Sequence, residues 1–116
     1  ILRAAFTADS SASSFTVGTM PSTAGRTYIG SRVIVKVSTP FAGADVDAIV
    51  ISDGTNTLVS NALTDPTSAG TYVVDLGAEA IASGATVTAS FKDTSDSSSA
   101  PTSGAVTVTV EYNFSN

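Results

Sequence analysis

The stretch Gly104-Ala-Val-Thr-Val-Thr-Val-Glu-Tyr-Asn-Phe114 alternates apolar and polar residues almost without error. Val106, Val108, Val110, Tyr112 and Phe114 fall on one side; Thr107, Thr109, Glu111 and Asn113 fall on the other. A period of two marks a half-buried β-strand, because successive side chains point to opposite faces of a sheet. The valines and threonines also suit a pleated surface, where a branched Cβ loses little freedom. Shorter versions of this pattern recur through most of the chain, and no helical stripe competes with them.

The alternation predicts seven further strands. They are Leu2–Thr7, Phe15–Met20, Tyr28–Ser38, Asp45–Ser52, Thr57–Ser60, Gly70–Leu76 and Thr86–Lys92. Val33, Val35 and Val37 form the inward row of the third, and Pro40 ends it, since proline cannot donate to a central ladder. Asp53-Gly54-Thr55-Asn56 reads as a tight hairpin turn, with Asp53 capping it and Gly54 at positive φ. Tyr72, Val74 and Leu76 share one face, as do Val87, Ala89 and Phe91. Ala78–Ser83 reads as one helical turn stopped by Gly84. The serine-rich run Asp93–Ser103 is a loop.

Eight short strands in 116 residues predict a single-domain, all-β antiparallel sandwich with eight-stranded jelly-roll topology. An immunoglobulin-like sandwich is the alternative, although its Cys…Trp…Cys core is absent. Residues 1–14 are expected to form an N-terminal strand or an arm that docks on a neighbouring subunit, with residues 15–116 as the sandwich. Ile1–Thr7 lacks the basic region and long apolar stretch of a signal peptide.

Composition narrows the function classes. The net charge is −5, and the five basic residues, Arg3, Arg26, Arg32, Lys36 and Lys92, are scattered singly. Nucleic-acid binding needs a basic patch with aromatic platforms, so no nucleic-acid partner is expected. The same acidity disfavours an anionic membrane, and no apolar run approaches the ~20 residues of a spanning helix. With no cysteine and no histidine, the commonest general base, the commonest zinc ligand and every Ser-His-Asp or Cys-His device are missing. The expectation is a non-enzymatic chain without a cofactor.

Carboxylates are the remaining chemistry. Asp45 and Asp47, two apart on one predicted strand, would stand about 7 Å from each other, a separation of interest in glycosidases. Two solvated side chains at a loop-to-strand entry explain them more simply. Asp53, Asn56, Asp93 and Asp96 offer hard oxygen atoms in loops, but Asp-Gly-Thr-Asn is not the EF-hand pattern. Asn113-Phe114-Ser115 matches a glycosylation acceptor, although its place in a strand favours core packing of Phe114. Ile34, flanked by Arg32 and Lys36 on the face opposite the valine row, suggests a second packed layer or a subunit interface, as does the apolar pair Ile49 and Ile51.

Several segments carry a family resemblance. Gly30-Ser-Arg-Val-Ile-Val-Lys-Val-Ser-Thr-Pro-Phe41-Ala-Gly-Ala44 is similar to a strand-and-turn segment of small tailed-phage virion proteins. Asp53–Leu58 resembles their following hairpin, and Asp65 with Ala69-Gly70-Thr71-Tyr72 the step after it. Gly84–Val87 and Gly104–Tyr112 resemble their last two strands. Ala42 departs from the acidic residue usual before Gly43. The resemblance covers roughly residues 28 to 112. It implies a capsid decoration (cement) protein on the exterior of the virion, with the major capsid protein or other virion proteins as partners and a homo-oligomer, a trimer, as its form. Tyr28, Ile34 and Phe41 are the contact candidates. The competing reading is a tail, fibre or adhesin module that binds a cell-surface glycan or protein.

Overall fold

The computed structural model describes residues 1–115, and every regular element in it is a β-strand. The strands are β1 (Leu2–Thr7), β2 (Ser14–Thr19), β3 (Thr27–Ala42), β4 (Ala48–Ser52), β5 (Thr57–Val59), β6 (Gly70–Ile81), β7 (Thr86–Lys92) and β8 (Ser103–Ser115). They form two four-stranded sheets, ordered β1-β8-β3-β6 and β2-β7-β4-β5, with all pairs antiparallel.

The pairing is nested. The first strand pairs with the last, the second with the seventh, the third with the sixth, and the fourth with the fifth. This is one long ribbon doubled back at the β4–β5 turn. Winding the ribbon brings β8 against β3 and β7 against β4, which completes both sheets. The result is the expected jelly roll and not the immunoglobulin-like arrangement. The doubling point is the expected turn: Asp53 N–H donates to the Asn56 carbonyl at 3.1 Å, and Asp53 Oδ1 accepts the amides of Thr55 and Asn56. Gly54 stands there at φ 91°.

Between the sheets lie the predicted valine rows. Val33, Val35 and Val37 of β3 and Val106, Val108 and Val110 of β8 are buried against Ile49 and Ile51 of β4 and Val87, Ala89 and Phe91 of β7. Each valine, isoleucine or phenylalanine among them, removed from water, contributes about 1.5–3 kcal/mol. One end of the core is aromatic. Phe6 stacks on Phe15 at 4.7 Å, and Phe91 meets Phe6, Phe15 and Phe41 at 5.5, 6.1 and 4.8 Å. At the other end Tyr28 meets Tyr112 edge-on at 5.3 Å.

Three local expectations are corrected. Pro40 does not end β3, because its partner β6 begins only opposite Val37 and the β8 register shifts between Thr39 and Ala42. The missing N–H therefore falls where the ladder is already irregular. Ala78–Ser83 contains no helical turn: β6 runs on to Ile81 after a bulge at Gly77 and Ala78, both at positive φ, opposite Ser31. Only Ser83 and Gly84 turn before β7. Phe114 is not core. β8 overshoots the sandwich there, leaving the ring 57% exposed under the Arg26 guanidinium, 4.1 Å from its centroid.

Two positions test the packing. Gly104 has φ 128°, and a Cβ there would stand 2.4 Å from Phe41 Cδ1 and 2.7 Å from its backbone Cα. Gly104→Ala should therefore cost at least about 2 kcal/mol in denaturant unfolding. Ile49 lies beyond the end of β5, and the Thr64 hydroxyl takes the place of a strand, accepting from Ile49 N–H at 3.1 Å and donating to its carbonyl at 3.3 Å. Thr64→Val strands both groups, and the same unfolding measurement should show a loss of about 1–3 kcal/mol.

Candidate interaction surface

The wound ribbon leaves the outer face of the β1-β8-β3-β6 sheet without a covering layer. Its side chains fall into rows set by the register. Arg3, Thr109, Ile34 and Val73 form the central row, one from each strand. Beside it, Lys36 lies between Thr107 and Thr71, and Arg32 between Glu111 and Asp75. Ile34 is half-buried and Val73 is 60% exposed, which makes an apolar centre within a polar frame. Thr109 is buried although it points outward, and its hydroxyl accepts a hydrogen bond from Arg3 Nε at 3.2 Å. Arg32 donates to the Glu111 carboxylate in an exposed ion pair, worth little to stability in water.

The three contact candidates separate. Ile34 is on this face. Tyr28 and Phe41 are both core residues at 3% exposure, so their rings are committed to the chain's own packing. For Tyr28 the reason is the bulge at Ser31, where β3 has one more residue than β8; it inverts the inward and outward alternation. Phe41 stays inward because β3 continues past Pro40. The pair Ile49 and Ile51 is likewise core. Residues 2–7 are laid into the sheet as its edge strand beside β8. Val73 belongs on the outer face by the alternation of Tyr72, Val74 and Leu76, a signal present in the sequence; that β6 is a sheet edge was not.

Charge is sorted by the fold. Arg3, Arg32 and Lys36 stand on the outer face, with Glu111 and Asp75 flanking Arg32, whereas Asp9, Asp45, Asp47, Asp65, Asp93 and Asp96 occupy loops that the antiparallel topology gathers at one end. Three of these aspartates organise their own loops, and Asp45 ties the β3–β4 loop to the β7–β8 loop. Asp9 accepts from the Ser11 amide and hydroxyl, and Asp65 from the Thr67 amide and hydroxyl at 3.1 and 2.6 Å. Asp93 accepts from the Ser95 and Ser97 amides, and Asp45 from the Thr94 hydroxyl at 2.7 Å. Asp45 and Asp47 both precede β4 and are not strand residues. Among the described residues no three acidic side chains come together as a cation site.

At the opposite end is a shallow cleft of about 280 Å³ lined by Ala80, Ala82 and Ala85 together with Thr27 and residues of the Asp53 turn. Its carboxylate, Asp53, already serves the hairpin turn. Comparison with family models, with curated proteins and with solved structures returned no match.

The loop aspartates give a pH signature. Hydrogen bonds from the Ser11 hydroxyl and amide hold Asp9 below the ordinary value of 3.8, and those from the Thr67 hydroxyl and amide do the same for Asp65. A folded-state value below the unfolded one means that the contribution is complete above 3.8 and is lost as pH falls through the lowered values. Carboxyl chemical shifts followed by acid titration should place both midpoints below 3.8.

Proposed function

We propose that this chain is a non-enzymatic structural module of a tailed-phage virion, acting as a capsid decoration protein that adds contact area across capsid subunits. The observation that carries the reading is the uncovered outer face of the β1-β8-β3-β6 sheet, with Ile34 and Val73 at its centre and Arg3, Arg32 and Lys36 around them. An apolar centre inside a polar, charged frame is the anatomy of a protein–protein contact. The face sets three cations against the two carboxylates Glu111 and Asp75 in a chain of net charge −5, which orients the molecule with this face toward a partner and the six loop aspartates toward solvent. The jelly roll is also a fold of virion proteins, a likeness of architecture only.

Decoration requires a surface and its repetition, and no chemistry. A specific contact of this kind covers at least ~1,000 Å² in total. The sequence resemblance adds the capsid as partner, the exterior as location and a trimer as the form.

The test is addition of the purified protein to capsids stripped of decoration. Saturable binding and a higher capsid melting temperature are expected, with binding reduced about tenfold or more by Ile34→Lys combined with Val73→Lys. Absence of capsid binding together with specific signals on a glycan array would replace this reading with that of an adhesin or fibre module.

A further inference from the structure

The β1-β8-β3-β6 sheet ends in two unpaired edges, β1 on one side and β6 on the other. An unpaired edge carries a row of backbone N–H and C=O groups ready to bond another strand. Proline and lysine, which commonly blunt such edges, are absent from both strands, and the protecting features of β6, its bulge at Gly77 and Ala78 and the inward-facing Glu79, lie beyond Leu76. The bulge at Gly77 and Ala78 ends the straight part of β6 at Leu76, leaving seven residues to set against the six of β1. Both edges also leave their core-facing side chains unfinished. Leu2, Ala4 and Phe6 of β1 and Tyr72, Val74 and Leu76 of β6 are only half-buried, whereas the inward valines of β3 and β8 between them are buried.

We propose that β6 of one copy pairs antiparallel with β1 of a second copy, so that this sheet runs on from copy to copy. The directions fit: β1 and β6 run oppositely within one sheet, so copies standing side by side in the same orientation meet antiparallel. Charge fixes both the partner and the register. The straight edge of β6 carries one charge, Asp75, and β1 carries one, Arg3. Setting Asp75 opposite Arg3 of the second copy puts Val73 opposite its Ala5 and Thr71 opposite its Thr7 on the outer face. The inner face then reads Leu76 to Leu2, Val74 to Ala4 and Tyr72 to Phe6, apolar throughout and aromatic against aromatic. A slip of one residue would turn the apolar row outward, and a slip of two would separate the charges. Neither β6 against β6 nor β1 against β1 supplies an opposite charge.

Both ionic groups keep capacity for this bond. Arg3 uses Nε toward Thr109, which leaves its terminal nitrogens, and Asp75 uses Oδ1 toward the Gly77 amide, which leaves Oδ2. Each copy offers β6 to one neighbour and β1 to the other, a heterologous contact that closes into a ring when the rotation permits. The inference deepens the oligomeric half of the proposed function and does not depend on the capsid half.

Light scattering and sedimentation of the purified chain over a range of concentrations test it. The wild type should associate. Arg3→Asp and Asp75→Arg should each weaken association roughly tenfold by setting like charges opposite. An equimolar mixture of the two variants should recover it, because Asp75 of one then meets Arg3 of the other. A wild type that stays monomeric, an oligomer indifferent to Arg3→Asp, or a mixture that gains nothing would each overturn the proposal. If circular dichroism shows that Asp75→Arg fails to fold, the outer-face pair Val73→Glu and Ala5→Lys replaces it. Mixed, those two must associate more tightly than either does alone, and no gain overturns the proposal. Capsid binding by a strict monomer would remove this contact and leave the capsid reading standing.

Discussion

The ladder between β3 and β8 holds the rest of the molecule in place. It joins twelve residue pairs, and both strands are among the longest in the chain. Each lies inside its sheet, so each bonds on both edges: β8 to β1 and β3, β3 to β8 and β6. The pairing unites positions about 80 residues apart, so it forms only when the doubled ribbon winds. Once it forms, two valine rows become adjacent on one inner face, and hydrophobic burial and backbone hydrogen bonding favour the same arrangement. Phe41 and Gly104 mark the end of this ladder, where a ring rests against a position with no room for a side chain.

The winding also determines what remains outside. A ribbon wound once has a free strand on each side of its sheet, and here the strand nearest β6 in the other layer, β5, has only three residues. The β6 edge is therefore uncovered, and the outer face is bare because the other sheet packs on the inner side alone. The antiparallel connectivity sends the β1–β2, β3–β4, β5–β6 and β7–β8 connections to one end, and those are the segments that contain six aspartates. Four of the five cations, Arg3, Arg32, Lys36 and Lys92, instead lie on strands. The separation of charge follows from topology acting on residues that look scattered along the chain.

Strand existence was legible in the residues, because a period of two survives in short segments and turn chemistry punctuates it. The Asp53 turn was legible for the same local reason. Errors arose wherever a neighbour or a bulge altered local logic. Tyr28 stood among the contact candidates because nothing in the alternation marks the extra residue at Ser31 that turns it inward. Pro40 looked terminal because its ladder position could not be seen. Ala78 read as the start of a helical turn, but a bulge at Gly77 and Ala78 carries β6 through to Ile81. Phe114 obeyed the alternation perfectly, yet the core had already ended beneath it. Thr64 gave no signal, since its role exists only beside Ile49 after folding.

Alternation, β-branched residues and the absence of histidine and cysteine determined on their own an all-β chain without the usual catalytic groups. Those are local properties, set by the geometry of each residue and its immediate neighbours. Which strands became edges, which face stayed bare, and whether Tyr28, Ile34 or Phe41 met solvent were decided by the tertiary structure. Those outcomes depend on contacts between residues far apart in sequence, and no periodicity within a single strand records them.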